Sequence, residues 1–107
     1  MSEVTFDVPE TLTRLPKQER DRLFRAGLYE AVRARIRQLE AEIAECEAKV
    51  SHFEARYGMS LARFEHEGLA QQNSFQVHED YNDWYYWQGA LEEKQQLLAD
   101  LHAFDRT

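Results

Sequence analysis

Scarcity marks this chain first: one cysteine, two prolines and four glycines among 107 residues. A single thiol, Cys46, excludes an internal disulfide and fits a reducing cytoplasm. The glycines (Gly27, Gly58, Gly68 and Gly89) stand singly, so there is no glycine-rich loop to cradle a phosphate. No apolar run approaches the roughly 20 residues that span a bilayer, and an opening that carries Glu3 and Asp7 does not read as a signal peptide. We therefore expect a soluble, cytoplasmic protein with no membrane span. What is abundant is the stock of long solvated helices: Ala, Glu, Leu, Arg and Gln, with charged residues at 31%. Aromatics at 12% argue against a disordered chain, since they supply apolar surface to bury.

That surface is organised. Tyr29, Val32, Ile36, Leu39, Ile43, Cys46, Val50, Phe53 and Tyr57 follow one another at alternating spacings of three and four. This heptad rule is a seam for another helix, and it predicts a rod about 45 Å long over 28–57, at ~1.5 Å per residue. Cys46 lies in the seam and reads as a small buried hydrophobe. Gly58 suits a left-handed C-cap, and Ser60 can cap a short helix over 60–67. The stretch 68–78 keeps neither period and reads as a loop. A further helix is expected over 79–104, with Glu79, Asp80 and Asp83 near its positive end. Its apolar stripe is Tyr81, Trp84, Trp87, Leu91, Leu98 and Leu101. Lys94 falls on that stripe and must snorkel outward or find an acid.

Upstream, Val4, Phe6 and Val8 alternate with polar residues, a short half-buried strand that Pro9 ends. Residues 11–15 read as a connector, and Pro16 suits the start of a helix near Lys17. A kink or short break is expected at Gly27. The chain thus divides into 1–27, a strand with a short basic helix, and 28–107, a helical hairpin. The expected fold is mostly α: a long antiparallel, coiled-coil-like hairpin with a small N-terminal strand. Trp84, Tyr85, Tyr86 and Trp87 occupy four successive positions and point round most of the helix. At least one large ring must face away from the intramolecular seam, which marks an interface. A homodimer with a four-helix core, joined through the heptad seam, is the economical solution.

Catalytic constellations are missing. Long helix pairs can host di-iron centres through Glu-x-x-His, but Lys49, Arg63, Phe75 and Ala99 stand three before the four histidines. His66-Glu67 and His78-Glu79 lack a third ligand at helical spacing. Ser51-His52 point to different faces, and a seam position denies Cys46 access to a nucleophile's role. We expect no enzyme, no cofactor and no metal.

Charge is uneven. Residues 1–38 carry eight Lys/Arg against six acids, and residues 39–107 carry five against fourteen, so +2 faces −9. The bland account is two solvated helix faces. The sharper one is an acidic distal half that meets a basic partner, with Arg22, Arg25, Arg33 and Arg37 as a basic neck able to contact phosphate. Pairing of these arginines with acids such as Glu30 and Glu40 is the competing account.

Two resemblances follow from whole segments. A short alternating strand and two basic helices over residues 3–40 are similar to ribbon-helix-helix repressors, whose paired strands enter the major groove. Thr5 and Asp7 would then face the groove, and an Asp there repels phosphate. The segments VTFDVPETL, RLFRAGLYEAVRARIRQLEAEI, FEARYGMSLARFE and HEDYNDWYYWQGALEEKQQLL together resemble small acidic helical antitoxins of prokaryotic toxin–antitoxin pairs. That resemblance implies a non-catalytic protein that binds and silences a small toxin, often a nuclease, encoded beside it. Residues Asp80 and Asp83, with Tyr81, Trp84, Tyr85, Tyr86 and Trp87, would form the partner-binding face. Two other roles fit the residues: a DNA-binding autoregulator that uses the strand and basic neck on its own promoter, and a coiled-coil oligomerisation scaffold.

Overall fold

The computed structural model describes residues 8–69 and 74–107. The strand expected over 4–8 lies outside them except for Val8. Among the described residues there are only helices, in the order α1 (Glu10–Thr13), α2 (Lys17–Tyr57), α3 (Leu61–Arg63) leading into a π-helical turn (Phe64–Gly68), and α4 (Phe75–Asp105).

Pro16 precedes α2 in extended conformation, where its missing N–H is no loss. From Lys17 the helix runs unbroken to Tyr57, which corrects the kink or short break expected at Gly27. Strong helix formers on both sides carry the glycine through. A Cβ placed on Gly27 meets nothing within 4 Å among the described residues, so Gly27→Ala should add about 0.5–1 kcal/mol, read as a higher urea midpoint at unchanged slope.

At the far end Gly58 takes the left-handed conformation (φ 69°) and donates its N–H to the Glu54 carbonyl at 2.7 Å. A β-carbon there would be strained, hence glycine. Ser60 then caps α3, its Oγ accepting from the Arg63 N–H at 3.2 Å. The chain widens into a π turn, and Gly68 is bare for a visible reason: its Cβ would stand 2.9 Å from Cδ2 of the buried Phe64 ring.

α4 begins at Phe75, four residues before the expected Glu79, so part of the anticipated loop is helical. It returns antiparallel along α2: Arg33 Nε meets Asp105 at 3.2 Å, Lys94 Nζ meets Glu42 at 2.8 Å, and the Tyr57 hydroxyl reaches Asp80 at 2.6 Å. The result is a rod of 68 × 23 × 23 Å with a radius of gyration of 21.3 Å, against ~13 Å for a compact domain of about 100 residues. α2 outreaches α4, and its first turns project past Phe104.

The core is the heptad seam. Ile36, Leu39, Ile43, Cys46, Val50 and Phe53 are buried, and Val32 is partly so. Leu91 joins Ile43, Cys46 and Val50, with Leu98 packed against them. Where α3 and the π turn close the hairpin, Phe53, Leu61, Phe64 and Trp84 form a second, aromatic cluster. The seam is thus lined by the chain's own α4.

Candidate protein-docking site

The four consecutive aromatics of α4 separate by helical phase. Trp84 turns inward and is fully buried, its ring 5.4 Å from Phe64, 5.7 Å from Tyr57 and 5.9 Å from Phe53 between centroids. Trp87 is half-buried, edge-on to Tyr86, with the Lys49 ammonium 5.6 Å over its ring. Tyr85 and Tyr86 turn outward, 61% and 65% exposed. Tyr81 is intermediate and donates its hydroxyl to Glu65 at 2.8 Å, which pushes the phenol up from its ordinary pKa.

Asp80 is likewise internal and is not an exposed acid of the first helical turn: α4 starts earlier, and the carboxylate sits 6% exposed against α2. Tyr57 Oη donates to it at 2.6 Å, Gln76 Nε2 at 3.0 Å, and Arg56 Nε stands 3.3 Å away. Burial pushes this carboxyl up, but the two donors and the Arg56 charge outweigh it, so its pKa falls below the ordinary value of 3.8. A lowered folded-state pKa gives stability that is present at neutral pH and is lost as pH falls through that lowered value. Asp80→Asn should therefore flatten the acid limb of the stability–pH curve. At neutral pH it should cost on the order of 1–3 kcal/mol, because buried donors lose a charged acceptor. Urea titrations between pH 3 and 7 check both.

Two expected partner residues, Trp84 and Asp80, therefore belong to the hairpin's interior. Tyr85, Tyr86 and Asp83 are the ones left on the surface. The structure also adds residues that sequence reasoning missed. Beside Tyr85 lies an open groove of about 520 Å³ between α2, α3, the π turn and α4, walled by Glu54, Glu65, Glu92 and Glu93, with Gly89 in its lining. A second depression of about 420 Å³, lined by Tyr85, Tyr86, Ala90 and by Lys94, whose ammonium is held by Glu42, shares Gly89 and Glu93. The isolated glycine in mid-helix was the only local signal of it.

Other titratable groups serve the rod. Lys94, forced onto the stripe, finds Glu42, which Arg35 also contacts at 2.6 Å; these partners hold the Glu42 carboxyl below its usual range. Burial pushes the Cys46 thiol up, away from thiolate chemistry. In the basic neck Arg22, Arg25, Arg33 and Arg37 are all exposed, and Arg33 pairs with Asp105. Among the described residues no three His, Cys, Asp or Glu side chains are grouped to hold a metal ion, and no helix is long and apolar enough to cross a membrane. Comparison of the chain with protein-family models, with curated proteins and with solved structures gives no match.

Proposed function

We propose that this is a non-catalytic, antitoxin-like binding protein that neutralises a basic partner, such as a small nuclease, through the outer face of α4. The observation that carries the reading is the pair of exposed tyrosines, Tyr85 and Tyr86, beside a groove walled by carboxylates in the half of the chain with net −9. A nuclease that grips RNA is positively charged. Acids steer such a partner in, and amphipathic rings anchor it once water is expelled. The reading includes a cytoplasmic homodimer.

Expression beside the adjacent open reading frame tests it. The neighbour's product should arrest growth alone, be tolerated with this protein, and co-purify with it in a salt-sensitive complex. A neighbour that is harmless alone and never co-purifies sinks the reading. Autoregulation of its own promoter through Arg22, Arg25, Arg33 and Arg37 is a second role for the same chain. It has weaker support, since Arg33 is already engaged by Asp105.

A further inference from the structure

Gly89, like Gly27, is a mid-helix glycine that no contact among the described residues requires, but unlike Gly27 it lines a groove walled by carboxylates. In mid-helix a glycine is about 1 kcal/mol worse than alanine, and a Cβ built at this position meets nothing within 4 Å. No neighbouring side chain or backbone of the described fold needs the space. Gly68 is the instructive contrast, because there a buried ring occupies it.

The space lies where the two depressions of α4 join, with Tyr85 and Glu93 lining both. Around it Glu54, Glu65, Glu92 and Glu93 enter no ion pair among the described residues; Glu65 accepts from Tyr81 and Glu92 from Gln88. These carboxylates are not grouped as a metal site is. The complementary cation is therefore an extended one, carried on a chain. A guanidinium fits best: it is planar, stacks on tyrosine faces and takes carboxylates two bonds at a time, which an ammonium does not.

We propose that the groove over Gly89 receives an arginine-bearing helical segment of a partner protein, one guanidinium seated between the Tyr85 and Tyr86 rings within reach of Glu93. The missing side chain lets the incoming segment lie close to α4. Glu54 and Glu65, on the opposite wall, meet a second basic residue one helical turn along. This rests on the reading of α4 as the partner-facing helix, and it names the chemistry which that face selects.

The test titrates full-length protein into a fluorescein-labelled, alanine-based helical peptide with arginines four residues apart, followed by anisotropy. Matched peptides carry lysine or glutamine instead. The arginine peptide should bind at low salt, the lysine peptide several-fold more weakly and the glutamine peptide not at all. Gly89→Leu, which fills the space, should weaken binding by on the order of tenfold, equivalent to ~1.4 kcal/mol, while its circular dichroism and melting temperature stay at or above those of the parent. Tyr85→Ala should weaken it similarly. Absence of arginine-peptide binding, equal binding of arginine and lysine peptides, or full binding by Gly89→Leu each overturns the proposal. The two readings fail separately. Peptide binding that Gly89→Leu abolishes, with no co-purifying neighbour, keeps the groove and removes the antitoxin role. A neighbour that co-purifies undiminished with Gly89→Leu does the reverse.

Discussion

Trp84→Ala destabilises the hairpin by about 3–5 kcal/mol, the range for deleting a large buried ring. Few positions leave so much unfilled. Trp84 has no exposed surface and joins three rings from α2 and the π turn, Phe53, Tyr57 and Phe64. Small domains hold only ~5–15 kcal/mol in total, so the variant should lose helical signal at low urea, and a loss under about 1 kcal/mol would contradict the packing described. Trp84→Phe should fall well short of the alanine effect. Among the described residues the enclosed indole N–H has no hydrogen-bond partner, a burial that itself costs ~1–3 kcal/mol. Phenylalanine removes that group along with part of the ring.

Leu39→Ala carries the second large effect, about 2–5 kcal/mol. Leu39 is fully enclosed in the seam, between Ile36 and Ile43 on the same stripe. It lies about 20 Å along α2 from Phe53 at ~1.5 Å per residue. At that separation the loss should stay local: amide exchange should accelerate across roughly 33–46 while protection around Phe53 and Phe64 changes little. Uniform acceleration along the whole rod would show instead that the hairpin opens only as one unit.

The seam was legible because its cause is local. Spacings of three and four fix one face of a helix whatever lies opposite, and Ile36 through Phe53 are buried accordingly. Lys94 announced its own requirement for an acid. The errors arose where burial depends on a distant element. Placing the start of α4 at Glu79 turned Asp80 into a solvent-facing, dipole-binding acid; with the start at Phe75 it lies against α2. The clue was the seam's last member, Tyr57, whose hydroxyl needs an acceptor once its ring is packed. Which of four neighbouring rings turns inward depends on α3 and the π turn, whose wide winding leaves no periodic trace. The groove is assembled from several helices, so no single stretch of sequence records it. At Gly27 the expected break rested on a propensity penalty too small to interrupt a 41-residue helix.

The bridge of Lys94 to Glu42, which Arg35 also contacts, has a consequence for alignment. A heptad stripe matches itself again after every seven residues. Sliding by one such repeat brings Arg35 or Lys49 to the level of Lys94 in place of Glu42. Cation then faces cation in either direction. A single carboxylate between two basic residues at heptad distance thus leaves the two rods one way to mate.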